Sequence, residues 1–143
     1  MAVLNGRFDE LIVGYKANAV IYSYRIVKLD PTLSGSVIQA AAKTDFLLGV
    51  SKIVQTSITR YQRPTTATFQ SAPIPPAIAG DQIDVNILGI QPLQYGAAVT
   101  IGQPLTTDTI GRGIPAASGD RCIGIAMSAG ALDDIGSVLI SQI

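Results

Sequence analysis

Ala41-Ala42-Lys43-Thr44-Asp45-Phe46-Leu47-Leu48-Gly49-Val50 and Ala116-Ala117-Ser118-Gly119-Asp120-Arg121-Cys122-Ile123-Gly124-Ile125 share one pattern. Both read A-A-x-x-D-x-x-[LI]-G-[VI], at an offset of 75 residues. Upstream, Leu29 and Gly35 match Leu105 and Gly111 at an offset of 76, and Ile38 and Ala40 match Ile114 and Ala116 at the same offset. Downstream, Ile83-x-Val85 matches Val138-x-Ile140 at an offset of 55. Three matches in one order point to a duplicated unit. The fall in offset places about 20 extra residues in the first copy, within 54–79. Pro64, Pro73, Pro75 and Pro76 lie there, which excludes a central strand and predicts an extended loop.

Around these matches the chain reads as short strands and turns. Tyr22, Tyr24, Ile26 and Val27 are β-formers and mark a strand over 22–29. Asp30-Pro31-Thr32-Leu33-Ser34-Gly35 is a turn, with strands following over 37–40, 46–53 and 82–88. Ile83, Val85 and Ile87 alternate with Asp84 and Asn86, the pattern of a half-buried strand. In the second copy the strands fall over 98–101, 113–116, 122–127 and 137–140, with a turn at 107–111. Stretches 8–13 and 128–133 are too short to stand as helices. The predicted fold is all-β, an antiparallel barrel or sandwich of two similar short β-units. An N-terminal arm (1–16) precedes one β-domain (17–143). That domain divides into unit one (17–90, with the insertion 54–79) and unit two (91–143).

Composition limits what such a domain does. The 143 residues carry ten Lys and Arg against ten Asp and Glu, a net charge of zero. Charged residues are 14%, against roughly 25% in soluble domains, so part of the surface is expected to be covered by a partner or by other copies. No basic cluster exists to displace counterions, so no nucleic-acid partner is expected. The uncharged stretch between Asp84 and Asp108 is broken by Gly89, Pro92, Gly96, Gly102 and Pro104, so no membrane partner is expected either. Arg7, Asp9 and Glu10 fall where a signal peptide would be apolar, which predicts synthesis in a cytosol. The single Cys122 reads as a small core residue.

The chain has no histidine, which removes the usual general base, the Ser-His-Asp and Cys-His arrangements and the standard zinc sites. Catalytic residues, cofactors and metal sites are therefore all predicted to be absent. Asp81 with Asp84 and Asp133 with Asp134 are the closest acid pairs. Each sits beside a turn glycine and reads as turn capping rather than glycoside or cation chemistry. Asp45 and Asp120 read the same way. Gly49 and Gly124, alike in both copies, read as points where a neighbouring backbone comes close. Gly111-Arg112-Gly113 is no dinucleotide fingerprint.

Val27-Lys28-Leu29-Asp30, Leu48-Gly49-Val50 and the strand ending Leu88-Gly89-Ile90 resemble the first half of the capsid cement (head decoration) proteins of tailed bacteriophages. Gly96-Ala97-Ala98-Val99, Pro104-Leu105-Thr106-Thr107-Asp108 and Gly119-Asp120-Arg121-Cys122-Ile123-Gly124-Ile125-Ala126 resemble its second half. The stretch 54–79 departs from the family, which has a short turn there. The resemblance implies a barrel-like virion protein, made in the host bacterial cytoplasm. It would bind the outer surface of the assembled capsid, bridge major capsid protein subunits and form a homotrimer.

Aromatic and arginine side chains on exposed segments suit interface anchors. The candidates are Arg7, Phe8 and Tyr15 in the arm and Arg60, Tyr61, Arg63 and Phe69 in the proline loop. Alternatively, Phe8 and Phe69 tuck into the domain's own core. Two other functions fit less well. One is another virion module, such as a tail, baseplate or fibre-base adaptor. The other is an enzyme or carbohydrate-binding domain using Asp81, Asp84 or tyrosines.

Overall fold

Short runs of β-branched residues, punctuated by Gly, Pro and Asp, give nine strands and no helix among the described residues. The computed structural model describes residues 11–52 and 76–141. The strands are β1 (Leu11–Ala17), β2 (Ile26–Leu29), β3 (Ser36–Gln39), β4 (Gly49–Ser51) and β5 (Gln82–Gln94), followed by β6 (Pro104–Thr107), β7 (Gly113–Pro115), β8 (Gly124–Ala126) and β9 (Ile135–Ile140).

The first five close on themselves in the order β1-β3-β2-β4-β5, with β5 returning to β1. The β1–β3 pair is parallel and the others antiparallel. Closure leaves this barrel without a free edge. The second half repeats the scheme with the C-terminal part of β5 in the role of β1. It pairs with β9, β9 with β8, β8 with β6 and β6 with β7. The last seam is an isolated parallel bridge, Tyr95↔Gly113, the counterpart of Ala17↔Val37. A second bridge, Val99↔Gly130, is the counterpart of Ile21↔Ala77.

β5 therefore serves both units. Residues 82–88 face β1 and 89–94 face β9, with Gly89 at φ 114° between them. By strand pairing, the described residues up to 88 belong with the first barrel and those from 89 with the second unit. Residues 11–16, assigned to the arm from the sequence, belong to the sheet, and 1–10 lie outside the described residues. Residues 11–17 are hydrogen-bonded into the sheet because the first half of β5 needs them to cover its edge. The strand expected over 98–101 is also displaced, since only Val99 makes a bridge there and the hairpin strand is β6. Stretch 8–13 forms no helical turn in its described part, because Leu11–Val13 belong to β1.

The turns follow the duplication closely. Asp45 and Asp120 each accept from the amide three residues back, Ala42 at 3.0 Å and Ala117 at 2.9 Å. Asp81 and Asp134 do the same with Ile78 at 3.0 Å and Ala131 at 2.9 Å. Asp30 accepts from Thr32 N at 2.8 Å and Asp108 from Ile110 N at 3.0 Å. The hydrogen-bond donors on Asp30, first the Thr32 main-chain N–H and then the Asn18 amide and Thr32 hydroxyl, hold its carboxyl below the usual range. Burial opposes the charge of Asp45, but the Ala41 and Ala42 amides and Lys28 outweigh it and lower its pKa. A Cβ on Gly49 would lie 2.4 Å from Asn86 O, and one on Gly124 would lie 2.0 Å from Leu139 O. Only glycine allows either approach.

Each unit has its own core. Ala17, Ile21, Val27, Val37, Leu48, Ala77, Ile83 and Val85 fill the first. In the second, Tyr95 stands where unit one has Ala17, and the surrounding residues shrink to match. Val37, Ala77 and Ile83 become Gly113, Gly130 and Gly136. A Cβ on Gly136 would meet Tyr95 Oη at 2.3 Å, and one on Gly130 would meet the ring at 2.7 Å. One large ring and three glycines thus occupy the space that Ala17 and three branched or small residues fill in unit one. Tyr95 Oη donates to Ser128 O at 2.8 Å, which satisfies the hydroxyl that burial would otherwise strand.

Candidate functional site

Of the two acid pairs, which the sequence reads as turn capping, three members have side-chain partners. Asp81 and Asp134 close turns, and Asp133, at φ 69°, accepts from Arg112 Nη1 at 2.8 Å. Among the described residues no three His, Cys, Asp or Glu side chains stand close enough to hold a metal ion. No described helix is long and apolar enough to cross a membrane.

Of the predicted anchors, Tyr15 is half-buried and packs against the core of the first barrel. Arg7, Phe8, Arg60, Tyr61, Arg63 and Phe69 lie outside the described residues. Cys122, read as a core residue, is exposed instead. The neighbouring Ile123 takes the inward position.

A different surface meets the demand for a docking face. Residues 85–107, 122–132 and 135–141 carry no charged side chain. They supply the second part of β5 together with β6, β8 and β9. The register sets Pro104 beside Ile125, Ile125 beside Leu139 and Leu139 beside Ile90, an uncharged row across four strands. Ile90, Ile125 and Met127 are exposed, as is Phe46 at 53%. At one end of the row a groove of about 420 Å³ is lined by Phe46, Leu47, Pro104, Cys122 and Ile125, with Asp120 and Arg121 also at its wall. Exposed apolar area of this kind makes the face a candidate interaction surface. Sequence reasoning noted the first charge-free stretch but not its partners. Only the strand order brings the three together, and only the register turns Ile90, Ile125 and Leu139 to one side.

Side-chain and main-chain bonds join the two units at their junction. Arg25 donates to Gln94 Oε1 at 3.1 Å and Ile110 O at 2.9 Å, with its guanidinium 5.1 Å from the Tyr22 ring centre. Burial lowers its pKa, with the charge of Arg112 a second cause. Arg112 bonds Asp108 at 2.8 Å, which raises its own pKa. Main-chain bonds Ile26 N to Gly111 O (2.7 Å) and Gln94 N to Tyr24 O (3.0 Å) cross the same junction.

No protein-family model and no curated protein matches the chain. Among solved structures, its fold is that of the head fiber gp8.5 N base in bacteriophage phi29. The two superpose with a TM-score of 0.61 over 94% of this chain and 98% of that one, at 16% sequence identity. The architecture is thus an all-β barrel fold with further strands bonded outside the closed barrel, and the likeness spans nearly the whole of both chains.

Proposed function

We propose that this chain is a non-enzymatic structural protein of a phage virion, seated on the outer surface of the head. The carrying observation is the end-to-end likeness in fold to a phage head fibre base. The uncharged, apolar outer face of the second unit supports the same reading, because it needs a protein surface to cover it. In this role the chain bridges major capsid protein subunits and associates with itself, as a trimer at local three-fold positions. A shell offers many identical sites, so modest affinity at each suffices when one assembly bridges several subunits.

A second reading, a base that seats a fibre or adaptor on the head, is favoured by the same solved structure, which is the base of a head fibre. The decisive experiment mixes the purified protein with heads of its phage that lack it and follows co-sedimentation. Saturable binding supports a head protein, and failure to bind expanded heads refutes it. Antibody labelling of virions separates the two readings. Uniform coverage fits cement, and label on attached fibres or the tail fits the adaptor.

A further inference from the structure

The duplication shows what the exposed groove is for. In unit one, Ile26 pairs with Val50 on the outer side of the barrel, and both are 0% exposed. They belong, with Ala40 and Leu47, to the core cluster of unit two. This outer face is thus where the first unit docks the second. What covers it includes the β6–β7 turn, whose Gly111 O accepts from Ile26 N and whose Ile110 O accepts from Arg25.

The same face exists on unit two. Pro104 pairs with Ile125 as Ile26 does with Val50, and Cys122 stands where Leu47 does. Here the face is open, with Ile125 41% exposed and Pro104 and Cys122 lining the groove. Unit one carries the counterpart of the covering turn, Asp30–Gly35, between β2 and β3. Its Leu33 is 48% exposed and Leu29 43%. An apolar acceptor face and an apolar donor turn thus stand free on opposite units of one chain, and neither Ile125 nor Leu33 brings a charge to bury.

We propose that the open face of unit two binds the Asp30–Gly35 turn of a second copy of this chain, repeating between chains the contact that joins the units within one. The inference deepens the self-association in the proposed function and rests on that part of it. Main-chain bonding is not repeated. Pro104 has no N–H to offer, and Gly35 O already accepts from Lys16 N at 3.2 Å. The joint is therefore a side-chain contact of Leu33 and Leu29 with Phe46, Pro104 and Ile125. Such a head-to-tail contact is heterologous, so it closes into a ring or runs on as a filament.

The test is mass by light scattering across a concentration series. The wild-type chain is expected at a multiple of 14.9 kDa. Ile125→Glu alone and Leu33→Lys alone are each expected to drop it to the single-chain mass. The two together are expected to restore the multiple, since the new charges meet only if those two residues do. A wild-type single-chain mass throughout, unchanged single variants or no restoration would each overturn the proposal. Should a charged variant fail to fold, Leu33→Cys replaces it. A short bismaleimide is expected to join Leu33→Cys chains through the native Cys122 into ladders. Wild-type chains coupled through Cys122 alone, or no coupling in the variant, would mean the faces meet otherwise. Co-sedimentation with heads separates the two ideas. A monomer that still binds heads overturns this joint and leaves the virion reading standing, and a multimer that binds no head does the reverse.

Discussion

The exchange of Ala17 for Tyr95 against Gly113, Gly130 and Gly136 makes a sharp energetic prediction. In the native background, Gly136→Ala places a methyl 2.3 Å from Tyr95 Oη and 2.4 Å from Cζ, against an ordinary contact of 3.4 Å or more. The ring is fully buried and bonded to Ser128 O, so it has nowhere to swing. Overpacking of this kind costs about 2 kcal/mol. Tyr95→Ala removes a buried aromatic ring and costs about 4 kcal/mol. In the Tyr95→Ala background the clash is gone, and Gly136→Ala only stiffens an unfolded chain, so it should stabilise by about 0.5 kcal/mol. The second substitution thus changes sign, and the coupling is about 2.5 kcal/mol.

Urea denaturation of the four proteins measures it, with equal slopes as the check that only stability has moved. Coupling smaller than about 0.5 kcal/mol would mean that ring and strand do not share the volume, and the reasoning fails.

Gly49→Ala and Gly124→Ala should each destabilise the fold by about 2 kcal/mol or more, since each methyl meets a main-chain oxygen that cannot rotate away. A thermal melt showing either variant as stable as wild type would refute the close approach. Asp30 and Asp45 have lowered folded pKa values, so their contribution is present above the unfolded carboxyl pKa of about 3.9 and is lost as pH falls through the folded value. Asp30→Asn and Asp45→Asn should therefore lose stability at neutral pH and show a shallower decline below about pH 4 than wild type, by denaturation midpoints at stepped pH. Arg112→Ala breaks ion pairs to Asp108 and Asp133. The expected loss is about 1 kcal/mol, shrinking in high salt, as a salt series of unfolding midpoints would report.

Much of the fold was legible because turn chemistry is local. Asp45, Asp120, Gly49 and Gly124 do what their neighbours in sequence imply, since an Asx contact or a close backbone approach leaves a residue-type signature. The register was legible only up to steps of two. The sequence aligned Ile83 with Val138 and Leu29 with Leu105. The pairings instead align Val85 with Val138 and Val27 with Leu105. A slip of two keeps every side chain on its own face, so hydrophobic alternation cannot detect it. The place of β1 was missed for a related reason. Its counterpart is the second part of β5, hidden inside one continuous strand, so no second copy of the motif stood apart to be matched.

That sharing of β5 also explains why the docking face was not legible. Leu48, just before β4, joins the core of the first barrel and Val50, within β4, joins that of the second unit, and Ile123, just before β8, and Ile125, within it, are their apolar counterparts. In β4 both sides are buried, one in its own barrel and one under the next unit, so a continuous apolar run is what burial on two faces demands. In β8 the same run persists although only the inner side is covered within the chain. Polar side chains fit outer positions of this sheet, as the exposed Ser137 does beside Pro92 on the neighbouring strand pair. Pro104, Ile125 and Leu139 are apolar instead, which is the chemistry the proposed joint between chains requires, and the contact that covers this face once within the chain is the geometry that joint would repeat.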